Sequence, residues 1–456
     1  MENRRIVIAG TGSGVGKTTL TIGLMSAMMK KGYIVQGFKC GPDYIDPTYH
    51  TAVTGRVSRN IDSWLLSQEM VREIVNRASV GADISIIEGV MGFYDGKDPT
   101  NNQGSTAEIS IITESPVILV VNCASMARST AAIVKGFQEF LKETNIVGVI
   151  ANQAGSEGHF QIVKTAIEQE CGIPVVGYLK MDHDLCIPER HLGLIPSIER
   201  GELKPFYDKL GDLVLETVDV DSIHALAKAP VLEIKESQFM NREKLEVRIA
   251  VARDAAFNFY YQENLDMLEA FGAELVEFSP IKGEVLPEHV DGLYIGGGFP
   301  EEFATELSEQ RDVKDSIRAA IENGLPTLAE CGGFMYLTES LETTDGTSYE
   351  MAGVIPGKVK MQTRLAALGY REISAAEGNY LLSPNLIAKG HEFHYSVFIQ
   401  KKETQHAYQT KGMGGLNKEG YMKGNLIAGY THFHFGSCPK MVENWVLKCK
   451  EYQTNS

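Results

Sequence analysis

The apolar positions of this chain form two series of short runs separated by stretches of helical period. In the first series Ile6–Ala9, Ile34–Phe38, Val117–Cys123, Ile146–Asn152 and Val175–Leu179 are β-branched runs that read as buried strands. The run Asp83–Gly92 joins them, continuously apolar until Glu88. Helical patterns lie between them at Leu20–Lys31, Thr106–Thr113, Ser129–Glu143 and Phe160–Cys171. Strand and helix alternating at this spacing predict a doubly wound parallel sheet. Around 233–246 the pattern turns charged and aperiodic, as a linker does. A second series follows, with strands at Arg248–Arg253, Glu274–Phe278, Asp291–Ile295 and Pro326–Glu330. Its helices fall at Tyr260–Phe271, Glu301–Glu309 and Val313–Asn323, and a last strand is expected over Leu426–Phe435.

Composition narrows the class. A chain of 456 residues holds two or three domains, and 43% hydrophobic with 22% charged residues is ordinary for a globular protein. The domains are expected at 1–235 and 246–440. A net charge of −16 argues against a nucleic-acid binder, which needs a basic footprint. No charged-then-apolar leader and no apolar run of bilayer length is seen, so no membrane partner and a cytoplasmic location are expected. Seven scattered cysteines without close pairs make neither a disulfide framework nor a zinc site, so an important cysteine acts alone as a thiol.

The first strand runs into Gly10-Thr11-Gly12-Ser13-Gly14-Val15-Gly16-Lys17-Thr18-Thr19, the form of a P-loop. Glycines let backbone N–H groups crowd a phosphate, the helix N-terminus adds partial charge, and Lys17 a full one. The residues Gly12 to Thr19 are therefore expected around ATP, with the Thr18 hydroxyl on Mg²⁺. The loop Lys39–His50 carries Asp43 and Asp46, either of which can hold Mg²⁺ or orient a substrate. Glu88, a carboxylate at a strand end, follows Walker-B logic, with Asp95 in the next turn as a further contact. Asn152 can reach a base or simply cap its loop. Pro188–Leu194, with His191, reads as a surface turn carrying an internal ion pair.

In the second series Ala329-Glu330-Cys331-Gly332-Gly333 is strand, cysteine, glycines, helix: the form of a nucleophile elbow. The helix N-terminus is expected to lower the Cys331 thiol. Gly297, Gly298 and Gly332 are candidates to aim N–H groups at an oxyanion. The strand near the end places His432 and His434 on one face, one as base and the other as its orienting partner. His394 is expected to be structural. A phosphate-activating site and an activated thiol in one chain suggest ATP-dependent amidation with ammonia from glutamine.

Nine motifs in order then identify the sequence with a family. They include GTGSGVGKTT (10–19), KCGPDYIDPTYH (39–50), SRNIDSW (58–64), IEGVMGFYDG (87–96), PERHLGL (188–194), AECGGFMYL (329–337), GHEFHYS (390–396) and YTHFHF (430–435). The chain resembles the cobyrinate a,c-diamide synthase family over essentially its whole length. The resemblance implies a dethiobiotin-synthetase-like P-loop domain followed by a class I glutamine amidotransferase-like, flavodoxin-like α/β domain. It implies amidation of the a- and c-carboxylates of cobyrinate, a corrinoid, through acyl phosphates, with ATP, Mg²⁺ and L-glutamine, in anaerobic cobalamin biosynthesis. It implies Cys331 as nucleophile activated by His432, Thr18, Asp46 and Glu88 around the metal, and Asp43, Tyr44, Ile45, Asp46 and Asp95 lining the synthase site. A homodimer is compatible with it. The chain carries His434 where ordinary class I glutaminases have Glu, and Ala329 where many relatives have Gly. Enzymes acting on Ni-sirohydrochlorin (coenzyme F430 biosynthesis) or hydrogenobyrinate share the motifs. A partitioning-type P-loop ATPase is the rival from another class, though these often carry a lysine where this chain has Gly12.

Overall fold

The structure is a computed structural model of the chain and describes residues 3–180, 187–190, 193–239, 245–401 and 404–455. Cys186, His191, Leu192 and the charged residues 242–244 lie outside the described residues. The chain divides into two compact units, Met1–Ser237 and Gln238–Ser456.

The first unit alternates as its pattern predicts: β1 (Arg5–Gly10), α1 (Lys17–Lys30), β2 (Val35–Cys40), α2 (Asp46–Thr54), β3 (Arg59–Ile61), α3 (Gln68–Ala78) and β4 (Ile84–Glu88). It continues with α4 (Thr106–Ile112), β5 (Val117–Asn122), α5 (Ser129–Phe140), β6 (Ile146–Asn152), α6 (Glu157–Cys171) and β7 (Val175–Leu179). A short ribbon, β8 (Glu189–Arg190) and β9 (Gly193–Leu194), and helices α7 (Lys204–Thr217) and α8 (Val220–Leu226) complete it. Seven strands pair in parallel in the order β3-β2-β4-β1-β5-β6-β7. Helices cover both faces, which is why β1 is buried along its whole length. Since β4 lies between β2 and β1, Glu88 stands in register with both Lys39 and Ile8.

Two expectations change here. The second strand runs on through Lys39 and Cys40, so Lys39 belongs to the sheet, not to the loop. From Asp46 the supposed loop is helical, because Pro47 sits in the first turn, where a missing N–H costs no hydrogen bond.

The second unit begins with β10 (Val247–Ala252), α9 (Gln262–Ala270), β11 (Ala273–Phe278), β12 (Gly292–Ile295), α10 (Ala304–Glu309), α11 (Arg311–Glu322), β13 (Thr327–Glu330) and α12 (Gly332–Leu337). Short strands follow, unread from the sequence: β14 (Thr338–Glu342), β15 (Ser348–Glu350), β16 (Ile355–Met361), β17 (Ala367–Ala375) and β18 (Ile387–His394). Then come β19 (Ser396–Gln400), β20 (Tyr408–Gly412), β21 (Gly415–Glu419), β22 (Tyr421–Lys423), β23 (Leu426–Gly429), β24 (His432–Phe433) and α13 (Pro439–Asn455). The main sheet runs β11-β10-β12-β13-β23-β22, parallel except for β22. The others are β15-β14-β16-β19 and β21-β20-β17-β18-β24.

The expected strand 426–435 is therefore two. β23 pairs with β13, whereas His432 and Phe433 pair antiparallel with His391 and Gly390 of β18. The chain changes sheets at Tyr430–Thr431, upstream of both histidines. Among the described residues no helix is long and apolar enough to cross a membrane.

Candidate active sites

In the first unit the P-loop leaves β1 and closes on itself through its glycines. Gly14 (φ 72°) and Gly16 (φ 88°) hold left-handed backbone, and a Cβ on Gly16 would strike the Asn152 amide. That amide donates to the Val15 carbonyl (2.7 Å), so Asn152 braces the loop. Gly12, Ser13 and Gly14 line its open side, Val15 is buried, and Thr19 sits in the first turn of α1. Lys17 donates to the carbonyls of Gly12 (3.0 Å) and Met91 (2.5 Å), drawing the 88–96 loop toward the P-loop. Burial, and then Lys39, lower its pKa to about 8 against the pull of Glu88, Asp46 and Asp95.

Behind the loop lies a buried charge cluster. The Thr18 hydroxyl donates to Glu88 Oε1 (2.6 Å) and lies 3.3 Å from Asp46 Oδ2. Lys39 Nζ bridges these carboxylates, 2.5 Å from Asp46 and 2.9 Å from Glu88, with Asp43 at 3.9 Å. The other Glu88 oxygen meets His50 Nε2 at 2.7 Å, and His50 Nδ1 meets the Ser58 hydroxyl. Burial opposes the Lys39 charge, but Asp46 and Glu88 hold its pKa well above the usual lysine range. Burial alone would raise Glu88, yet Lys39 and His50 bring it below the carboxylate range. Asp46 is raised, by burial and by Asp43.

Asp43 Oδ1 accepts the N–H groups of Ile45 and Asp46, shaping the turn into α2. Tyr44 is half-buried there and Ile45 precedes the helix. The Asp95 carboxylate accepts the Gly92 N–H (2.9 Å), and Gly92 packs on Gly12. The structure thus gathers Lys17, Thr18, Asp46, Glu88 and Asp95 in one site. Lys39 and His50 were not singled out from the sequence; both lie in the quoted KCGPDYIDPTYH stretch, but only the pairing of β2 with β4 aims them at Glu88.

In the second unit Cys331 carries φ 47° and ψ −101°, strained backbone for a side-chain-bearing residue. Its N–H is bonded to the Gly429 carbonyl (2.7 Å), and Ala329 does not prevent the turn. A Cβ on Gly332 would sit 2.9 Å from the Gly298 nitrogen, and one on Gly297 would clash with Cε1 of His432. Gly297, Gly298, Gly332 and the His432 imidazole therefore converge beside the elbow. Burial pushes the Cys331 thiol well up, with Glu301, Glu330 and Glu392 adding to it, opposite to the lowering expected from the helix N-terminus. Burial, then His391 and His394, push His432 down to about 3. The resting pair is a neutral thiol and a neutral imidazole.

His434 follows β24 in extended backbone (φ −101°, ψ 109°) and opens a turn. Its Nδ1 accepts the Gly436 N–H (3.2 Å), its ring stacks on Tyr261, and its Nε2 has no hydrogen-bond partner among the described residues. It caps a turn, and burial lowers its pKa to about 3. His394 donates from Nδ1 to the Ser396 carbonyl and stacks on Tyr430.

The segment 430–435 is held by side chains in place of a continuous ladder. Glu419 accepts the Tyr430 N–H (2.6 Å) and the Thr431 hydroxyl (3.1 Å). Glu330 accepts the Phe433 N–H (3.0 Å), and Asn264 bonds both the Phe433 carbonyl and the Phe435 N–H (2.8 Å each). Glu392, paired with Arg371, lies 3.3 Å from the Thr431 hydroxyl. None of these side chains was singled out; acids in strand-like runs were the available signal.

Comparison with known proteins agrees with this division. Residues 6–195 match the CobQ/CobB/MinD/ParA nucleotide binding domain, and residues 248–439 the CobB/CobQ-like glutamine amidotransferase domain. The chain is 70% identical over 450 residues to the cobyrinate a,c-diamide synthase of Priestia megaterium, covering 99% of this chain and 98% of that one. It is 44% identical to the enzyme of that name from Dehalococcoides mccartyi (strain CBDB1), over 100% of both chains. With that of Picrophilus torridus it shares 45% identity over 98% of this chain and 99% of the other.

Proposed function

Because the chain belongs to the cobyrinate a,c-diamide synthase family, we propose that it converts cobyrinate to its a,c-diamide with glutamine as nitrogen donor and ATP as activating co-substrate, in the anaerobic route to cobalamin. The first unit transfers the γ-phosphoryl group of ATP to a side-chain carboxylate, giving an acyl phosphate. Ammonia then attacks the acyl carbon, the carbon–oxygen bond to phosphate breaks with its electron pair on the leaving phosphate, and the nitrogen loses a proton to give the amide.

The second unit supplies the ammonia. Cys331 gives its proton to His432 as sulfur attacks the glutamine carboxamide carbon. The N–H groups around Gly297, Gly298 and Gly332 receive the developing oxyanion. His432 returns the proton to the leaving nitrogen, the carbon–nitrogen bond of the tetrahedral adduct breaks, and ammonia departs, leaving a thioester on Cys331. Water, deprotonated by the same imidazole, attacks that thioester and releases glutamate.

In the first unit Lys17 and the loop N–H groups hold the phosphates. The hard oxygens of Thr18, Asp46 and Glu88, already gathered around the Lys39 ammonium, form a donor set that suits Mg²⁺. When bound, that ion supplies charge neutralisation at the phosphates. Asp43 and Asp95 face the same loops and are assigned to the substrate, with Tyr44 and Ile45 at their side.

The observation that carries this reading is the strained Cys331 beside Gly297, Gly298 and His432, in a chain whose other unit is built on a P-loop. The test is incubation with cobyrinate, ATP and glutamine, with mass spectrometry of the product and assay of glutamate. Two amide groups gained and glutamate released are expected. Preference for Ni-sirohydrochlorin or hydrogenobyrinate would overturn the substrate; ATP hydrolysis without glutamate release would return the chain to a partitioning-type ATPase.

A further inference from the structure

We infer that Glu330 is a positioning residue for glutamine hydrolysis, setting the His432 imidazole against the Cys331 thiol through the main chain of Phe433. The inference rests on the assignment of Cys331 and His432 made above. The thiol and the imidazole belong to different sheets: Cys331 follows β13, while His432 lies in β24, paired with β18. Between the last main-sheet pairing, Glu330 with Gly429, and His432 stand Tyr430 and Thr431, which no ladder includes. Each residue outside a ladder adds two soft backbone dihedrals, and although Glu419 holds Tyr430 and Thr431, the pairing of β13 with β23 does not by itself locate the imidazole.

A closed ring of buried side chains supplies the missing constraint. Glu330 Oε1 accepts the N–H of Phe433 (3.0 Å), the residue after His432. Glu330 Oε2 accepts the Tyr294 hydroxyl (2.9 Å), whose oxygen lies 3.4 Å from the Asn264 amide nitrogen. That amide also donates to the Phe433 carbonyl (2.8 Å), so both polar groups flanking Phe433 are gripped. Of these anchors Glu330 is the one bonded directly to Cys331. One covalent step lies on the nucleophile side and one on the imidazole side, joined by a single hydrogen bond.

The choice of a carboxyl group supports the role. Glu330 is 2% exposed, and burying an acid is unfavourable unless its oxygens are hydrogen-bonded. An apolar residue would fill the strand end without that cost but would leave the Phe433 N–H and the Tyr294 hydroxyl unmet. An acceptor for the Phe433 N–H and a polar partner for the Tyr294 hydroxyl, at one point, are what the ring needs. Misplacing a reacting group by about 1 Å costs on the order of 10²-fold in rate, so a small release of Phe433 is enough to be seen.

The test compares Glu330→Ala with Glu330→Gln in the full chain, following glutamine hydrolysis, amidation with added ammonium salt, and alkylation of Cys331 by iodoacetamide across pH. In E330A, kcat for glutamine is expected to fall on the order of 10²-fold with KM within about threefold, and alkylation of Cys331 to slow at each pH because the imidazole no longer stands ready to take the thiol proton. E330Q keeps an acceptor for Phe433 and should stay within about fivefold of the parent. Ammonia-dependent amidation should be unchanged in both. Wild-type kcat in E330A, or equal losses in E330A and E330Q, would overturn the inference. Should E330A fail to fold, Tyr294→Phe takes its place, with a drop of about three- to tenfold in kcat expected and an unchanged kcat overturning it. No glutamate release by the parent protein would instead sink the glutaminase assignment.

Discussion

The ammonium of Lys39 lies 2.9 Å from a carboxylate oxygen of Glu88, on neighbouring strands and with both groups shut away from water. The same ammonium touches Asp46, so one lysine serves two acids next to the phosphate loop: it holds Glu88 ionised, while burial and Asp43 push Asp46 toward its neutral form. Lysine 39 carries out the charge balance that the P-loop motif itself does not include.

Replacing Lys39 by Met should therefore remove the buried cation that holds Glu88 ionised and bonds Asp46. A loss of about 3–5 kcal/mol in stability is expected, the usual cost of breaking a buried ion pair from one side. Denaturant unfolding measures it, and amidation with ammonium salt should be lost while glutaminase activity survives. An unchanged midpoint would mean that the cluster holds a proton in place of the lysine charge.

Lys17 has its pKa near 8 before nucleotide binds. It is a base, so its charge is present below that pH and fades above it; phosphate, by pairing with it, raises the pKa in the complex. Nucleotide affinity should thus be flat below about pH 7.5 and weaken toward tenfold per unit above about pH 8. Calorimetric titration from pH 6.5 to 9.5 reads this directly. A Kd independent of pH over that range would remove Lys17 from the phosphates.

Gly297→Ala would place a methyl group against Cε1 of His432. The imidazole must shift, and glutamine hydrolysis should drop on the order of 10²-fold with ammonia-dependent amidation intact. Equal activity with both nitrogen sources would contradict the convergence of Gly297 and His432.

Cys331→Ser and Cys331→Ala should both abolish glutamine use and spare the ammonia reaction. Cys331→Gly should in addition be more stable than Cys331→Ala, by about 1 kcal/mol, because φ 47° suits glycine. In ordinary strand or helix the order is the reverse, so melting of the two variants reports on the strain at the elbow.

Burial, with Glu392, raises Glu419 to about 8, from an ordinary value near 4.5. The folded state then holds the proton more tightly than the unfolded chain. That contribution is complete below about pH 4.5 and is lost as pH rises through about 8. The second unit should melt progressively lower from about pH 5 to 8 and level off above, and Glu419→Gln should reduce the slope, the remainder belonging to Glu330, which burial likewise raises to about 8.

What the sequence by itself determined were the features written in consecutive residues. The P-loop from Gly10 to Thr19, the elbow around Cys331 and the alternating strands and helices are local patterns, because glycine geometry and side-chain periodicity act over a few positions. Family resemblance then drew the parts together. The partners of those motifs were decided only in three dimensions. Lys39 meets Glu88 from 49 positions away because β2 lies beside β4, and Glu330 reaches Phe433 across 103 positions. His432 comes to stand against His391 because the chain changes sheets at Tyr430–Thr431, a long-range pairing that no local pattern records. The short strands 338–423 stayed unread for the same reason: their pairings are long-range, and their own apolar positions repeat too few times to declare a period.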